Sequence, residues 1–102
     1  MKLSYNVLPQ SFQNMRSVAR ASERAGLHSI AIADSPLISR ELFMSCAECL
    51  HETNSLNVMT AVTNPLTRHP SVAASAIATL CEIAPGRLLV GIATGDSAAW
   101  GA

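Results

Sequence analysis

Four short apolar runs limit what this chain can become. They are LSYNV (3–7), HSIAIA (28–33), NVMTAV (57–62) and LLVGIA (88–93). They begin roughly every 25–31 residues, the length of a strand plus a helix that returns the chain to its starting side. Between them the apolar residues switch to helical spacing. Phe12, Met15, Val18, Ala19 and Ala25 share one face, with the small Ser22 among them. Leu42, Phe43, Cys46 and Leu50 make a second such face, and Val72, Ala73, Ala76, Ile77, Leu80 and Ile83 a third. Ser11 and Ser39 are placed to cap helix starts, and Pro70 fits a first helical turn, where its missing N–H leaves nothing unbonded. Gly26 ends the first helix, Asp34-Ser35-Pro36 ends the second strand, and Pro85-Gly86 makes a turn. The second and fourth strands read as apolar on both faces, the mark of a parallel sheet between covering layers. Right-handed helical crossovers then give an α/β fold of parallel βα units, either part of a TIM barrel or a doubly wound sheet.

The remaining composition narrows the function classes. The formal net charge is zero and there is no basic stripe, which argues against nucleic acid as a partner. Although 49% of the residues are hydrophobic, no apolar run approaches the ~20 residues of a membrane span. MKLSYNVLP at the N-terminus is too short for a secretory signal, and no small-residue cleavage site follows it. The expected compartment is the cytoplasm. Cys46 and Cys49 have redox-pair spacing (CAEC), but they fall on one helical face and no second ligand pair follows. No metal site is expected.

The polar residues gather at one end of the strands. The first strand ends near Asn6, the second in Asp34 and Ser35, the third in Thr63 and Asn64, and the fourth in Thr94, Gly95 and Asp96. The opposite ends carry turn residues instead. In parallel α/β sheets every strand C-terminus emerges on one face, and ligands bind there. Gly95-Asp96-Ser97 also reads as a helix start whose N–H groups suit an anion or a ring carbonyl. Neither GxxxxGK[ST] nor GxGxxG occurs, which counts against a P-loop and a Rossmann site. His28 stands at a strand start and reads as structural, and His51 as solvent-facing. His69 follows Arg68 in the polar stretch VTNPLTRHP (62–70), where it can fix the loop or meet a cofactor's polar edge.

Three stretches carry a family resemblance: ARASERAGLHSIAIADSP (19–36), VMTAVTNPLTRHP (58–70) and SVAASAIATLCEIAPGRLLVGIATGDSA (71–98). A weaker fourth is the first strand with its Pro9 turn. The chain resembles the N-terminal part of the luciferase-like flavin- or deazaflavin-dependent oxidoreductases. That group includes bacterial luciferase, alkanesulfonate monooxygenase and methylenetetrahydromethanopterin reductase. The likeness covers nearly all of residues 1–102. It implies the first half of a TIM (β/α)8 barrel, with FMN or coenzyme F420 (a deazaflavin) held across the strand C-termini. It further implies a bulge or a non-prolyl cis peptide at the end of the third strand, where Ala61, Val62, Thr63 and Asn64 would back the ring. Asn6, Arg68, Thr94 and Gly95 would join Val62, Thr63 and Asn64 as cofactor-binding residues, and Asp34 or Asp96 would orient a small-molecule substrate or act as acid or base. Some reductases of the group carry a carboxylate at the end of the first strand. Asn6 stands there in this chain, and it can hydrogen-bond but not exchange a proton.

Three functions follow. The first is the oxidoreductase segment of a luciferase-like monooxygenase or reductase. The second is a non-catalytic half-barrel for binding or assembly, or a truncated fragment. The third is another TIM-barrel enzyme, a lyase or isomerase working through Asp34, Asp96 and a metal. Such barrels run to ~250 residues, so 102 residues supply about half the strands. The expectation is therefore an incomplete barrel whose open edges are covered by a homo-oligomeric partner or by a C-terminal half.

Overall fold

The computed structural model describes residues 2–93. Its elements alternate without exception: β1 (Ser4–Val7), α1 (Phe12–Arg24), β2 (Ser29–Ile32), α2 (Leu42–Glu52), β3 (Asn57–Thr63), α3 (Pro70–Ile83) and β4 (Leu88–Ile92). All four strands pair in parallel, in the spatial order β1-β2-β3-β4. This order separates the two architectures left open by the sequence. A doubly wound sheet reverses its strand order partway along. Here each right-handed crossover steps the same way, which keeps all three helices on one face. The chain is a half-barrel: a curved parallel sheet with helices outside and an inner face toward the axis.

The register sets the two faces. Ile30 pairs with Val58, and Ile32 with Thr60, so these rows point toward the helices. There Ile30, Ile32 and Val58 meet Met15 and Ala19 of α1, Leu42, Phe43, Cys46, Cys49 and Leu50 of α2, and Leu80 of α3. Full burial of one large aliphatic side chain contributes about 1.5–3 kcal/mol, so this cluster is the main source of stability. Both cysteines are core residues. Burial pushes the Cys49 thiol up to about 12 and raises that of Cys46 further, so neither offers a thiolate. Among the described residues there is no group of three or more His, Cys, Asp or Glu side chains that could hold a metal. No helix is long and apolar enough to cross a membrane among those residues.

The local signals resolve as follows. Ser11 caps α1 by accepting from the Asn14 N–H at 3.1 Å, and Gly26 takes φ +78° just past its end. Ser39 does not cap α2. Glu41 does, accepting from the Met44 N–H at 2.8 Å, while the Ser39 hydroxyl donates to the Ser35 carbonyl. The helix starts two residues later than serine propensity suggests, because Glu41 reaches the Met44 N–H in the first turn and the 35–39 turn takes the serine. Pro70 sits in the first turn of α3, where His69 accepts from the Ser71 N–H at 3.1 Å. His69 thereby acts as a polar residue at the helix N-terminus, and its side-chain hydrogen bonds go to Ser71 rather than to the loop before it.

Two elements are barer than their composition suggests. β2 is buried along its length, as expected of a strand covered on both faces. β4 is not: Ile92 is 63% exposed, and Leu89 and Val90 are also exposed. Of α3's apolar residues, only Leu80 is fully buried. The cause is position, since β4 and α3 end the sheet and the helical layer and each has a neighbour on one side only.

The end of the sheet where strands begin is tied to the loop after α2. Glu23 accepts from the backbone N–H groups of Asn54, Ser55 and Leu56. From the other side Arg87 donates to the Leu56 carbonyl at 2.9 Å and to Thr53 Oγ1 at 2.6 Å. Both residues fall within the family-like stretches, and both serve the floor of the barrel.

Candidate functional site

At the opposite end the strand C-termini open onto a cavity of about 230 Å³ lined by Asn6, Val7, Leu8, Ala31, Ala33 and Ala61. Asn6 pairs with Ala31, and both line the cavity, so it lies on the inner face of the sheet. Three of its six lining residues are alanines, which keep the floor free of bulky side chains. A larger cavity of about 480 Å³ runs between α2 and α3, bordered by Met44, Ala47, Val72 and Ala76. That groove is apolar and belongs to the helical layer. Glu41 and Arg68 border its rim, but only the smaller cavity lies at the strand ends, where chemistry sits in a barrel.

The third strand is irregular at this point. Its pairing with β4 shifts between Thr60 and Thr63, and the Ala61–Val62 peptide is cis. Both the bulge and the non-prolyl cis peptide implied by the resemblance are therefore present, at the expected residues. Gly91 makes room for the bulge. A Cβ there would lie 2.7 Å from the Thr60 carbonyl oxygen. Thr60 Oγ1 bridges the same spot, donating to the Gly91 carbonyl at 2.8 Å and accepting from the Gly91 N–H at 2.9 Å.

Beyond the bulge, the polar stretch forms a clasp. Asp34 is buried at the end of β2, with 1% of its side chain accessible. Its Oδ2 accepts from Thr63 Oγ1 at 2.8 Å and from Arg68 Nη1 at 2.6 Å, and its Oδ1 accepts from Arg68 Nη2 at 3.1 Å. Arg68 Nη2 also donates to Glu41 Oε2 at 2.5 Å, and the guanidinium lies 4.7 Å from the centre of the Phe43 ring. Burial alone would lower the Arg68 pKa, but its bonds to Asp34 and Glu41 outweigh that and raise it. The arginine is a fixed charge. Glu41 does two jobs, capping α2 with Oε1 and holding Arg68 with Oε2. Asn64 is buried and turns inward on its own loop, where its Oδ1 accepts from the Leu66 and Thr67 N–H groups, each at 2.9 Å.

The structure thus brings Asp34, Thr63, Asn64 and Arg68 together, with Asn6 on the cavity wall and Val62 exposed beside the bulge. Thr94, Gly95 and Asp96 lie outside the described residues. Sequence reasoning missed Glu41, Phe43, Ala31 and Ala33. Glu41 had a signal, since it is the one acid between the second strand and second helix apart from Asp34. The alanines had none, because a small residue becomes a cavity wall only once its neighbours are placed.

The family model for luciferase-like monooxygenases matches residues 2–100. The chain belongs to the luciferase-like monooxygenase family. Among curated relatives of this luciferase-like chain is 5,10-methylenetetrahydromethanopterin reductase from Methanolobus tindarius. It is 33% identical over 84 residues, which span 82% of this chain and 26% of the relative. The enzyme of that name from Methanopyrus kandleri is 46% identical over 46 residues, spanning 45% of this chain and 13% of the relative. The solved structure of coenzyme F420-dependent tetrahydromethanopterin reductase from Methanopyrus kandleri superposes with a TM-score of 0.88 at 27% identity. It covers 98% of this chain and 29% of its own. An FMN-bound type II Baeyer-Villiger monooxygenase from Pseudomonas putida shares the fold, with a TM-score of 0.78 at 18% identity over 94% of this chain and 31% of its own. The luciferase-like chain thus spans well under half the length of these relatives.

Proposed function

We propose that this chain is the N-terminal part of an F420- or FMN-dependent oxidoreductase whose cofactor ring lies across the inner-face cavity. The observation that carries the reading is the small-residue floor of Ala31, Ala33 and Ala61 beside Asn6 at the strand ends. A flat ring needs a wall without side-chain bulk and a few in-plane polar partners. The alanines leave the first, and the Asn6 amide supplies both a donor and an acceptor. The residues fit a deazaflavin or flavin ring on those grounds. The family membership and the F420- and FMN-dependent relatives support the choice of cofactor.

When bound, such a ring would supply the hydride or oxygen chemistry. The chain's own residues would position it. The backbone at residues 61–64 would form the wall behind the ring, and Asn6 would hydrogen-bond at its edge. Thr94 and Gly95 would flank the polar side, and Asp96 would orient substrate or exchange a proton. Arg68 is engaged by two carboxylates and would act through the loop it holds rather than on a phosphate. The substrate would be a small molecule. A C-terminal remainder of the barrel would complete the mouth.

The test is a titration of the protein with FMN and separately with F420, followed by visible absorption. Saturable band shifts with one of them, weakened by Asn6→Ala, are the expected result. Absence of any shift with both would end the reading.

A second reading rests on the exposed edges. Leu3 and Tyr5 beside one edge and Ile92 on the other are all more than half exposed. Such edges favour association, either with a second copy or with a separate C-terminal half-barrel. A concentration-dependent mass by light scattering, without cofactor binding, would favour this assembly role.

A further inference from the structure

Asp34 stands where a catalytic carboxylate is expected, at a strand C-terminus in an α/β barrel. Its surroundings argue for a different task. Its side chain is 1% accessible, and its oxygens already accept three hydrogen bonds, two from Arg68 and one from Thr63. The carboxylate faces a guanidinium that is itself only 12% accessible and is shared with Glu41. A group so enclosed is a poor proton donor to a substrate in the cavity, and Asp34 is absent from the cavity lining.

One of its partners, however, belongs to the strand end that contributes Ala61 to that cavity. Thr63 closes the bulge that begins after Thr60, and Ala61, between them, lines the cavity. Arg68 lies at the far end of the loop that Asn64 folds back on itself. One carboxylate therefore holds both ends of the segment from Thr63 to Arg68. Glu41 with Phe43 brace Arg68 from the α2 side.

We propose that Asp34 is a positioning residue, which acts through Thr63 and Arg68 to fix the strand end at residues 61–64 and the loop behind it, and so sets the wall of the mouth. This deepens the cofactor reading and rests on it for the identity of what the wall contacts. The residue's work is geometric. It holds the wall in one arrangement before anything binds, so that ordering the loop is not charged against binding.

Three variants separate this from a proton-transfer role. Thr63→Val removes one anchor and keeps the Asp34–Arg68 pair. Thr63→Ser keeps the hydroxyl. Asp34→Asn keeps the size and removes the charge. The readouts are FMN and F420 affinity by visible absorption, and amide hydrogen exchange without cofactor. Leu66 and Thr67 report the loop through their bonds to Asn64. Ala93, whose N–H donates to the Thr63 carbonyl at 2.8 Å, reports the strand end.

Asp34→Asn should speed exchange at all three amides, and Thr63→Val at Ala93. Both should weaken cofactor binding roughly tenfold, the scale of about one hydrogen bond, and Thr63→Ser should restore it. Wild-type affinity in both variants, with exchange unchanged, overturns the proposal. So does wild-type affinity in Asp34→Asn combined with abolished turnover, since that is the behaviour of a proton carrier. If wild-type protein binds neither FMN nor F420, the cofactor reading falls by itself. The exchange rates then decide the positioning role, with faster exchange supporting it and unchanged exchange ending it. If Asp34→Asn does not fold, the Thr63 pair carries the test alone.

Discussion

The two ends of this half-barrel are fastened in different ways. At the floor, Glu23 and Arg87 grip a loop mainly by its backbone: a carboxylate takes three N–H groups, and a guanidinium takes a carbonyl and the Thr53 side-chain hydroxyl. At the mouth, charges grip each other, with Asp34 and Glu41 sharing Arg68 in a largely buried cluster. Except at Thr53, whose hydroxyl Arg87 bonds, such a backbone grip tolerates almost any side chain in the loop it holds. The buried Asp34–Arg68 pair requires both of its members, because deleting either leaves the other desolvated without its main partner. The floor is therefore a general fastening, and the mouth a specific one.

The comparison breaks first, if it breaks, at Asp34→Ala. Removing that carboxylate leaves Arg68 with Glu41 alone and should cost about 3 kcal/mol in urea unfolding. A loss below ~1 kcal/mol would show that the clasp is no stronger than a surface pair. Next is Gly91→Ala. The added methyl would meet the Thr60 carbonyl at 2.7 Å, and backbone cannot move aside as a side chain can. A loss of about 2 kcal/mol is expected, as for overpacked cores, and thermal melts would measure it. At the floor, Arg87→Ala should cost about 1.5 kcal/mol, the scale of a charged hydrogen bond lost from a half-buried site. Its effect should stay local, appearing as faster exchange at the Asn57 and Val58 amides with the mouth undisturbed.

The smallest effect belongs to Glu23. Hydrogen bonds from the Ser55, Asn54 and Leu56 backbone outweigh its slight desolvation and hold its carboxyl below the usual 4.5. The folded state thus binds the proton less readily than the unfolded chain. The stabilisation is complete above pH 4.5 and disappears as pH falls through the lower folded value. Glu23→Gln should flatten that acid limb of the stability curve and leave neutral stability changed by less than about 1 kcal/mol, because the site is open to water. An acid limb unchanged by the substitution would remove Glu23 from the floor fastening.

Periodicity made most of the fold legible. All seven elements lie where the alternation of apolar runs puts them, and Gly26 and Pro70 mark helix limits as local backbone chemistry requires. Serine propensity points to Ser39 as the α2 cap because it is a local preference, whereas Glu41 takes the cap through its distance to the Met44 N–H and to Arg68. The polar strand ends were legible as a group, since parallel topology sends them all to one face. Their division of labour was not.

The sequence by itself determined the order of strands and helices, the parallel sheet, the end at which chemistry should lie, and the family-like stretches. Those depend on the spacing of residues along the chain. Only the tertiary structure decided that the helices share one face, that Arg68 is neutralised by Asp34 and Glu41, and that three alanines form the cavity floor. These depend on distances between residues 27 or more positions apart, such as the Glu41–Arg68 contact, which no local pattern encodes. They exist only once burial has brought the segments together and made an unpaired charge too costly to leave.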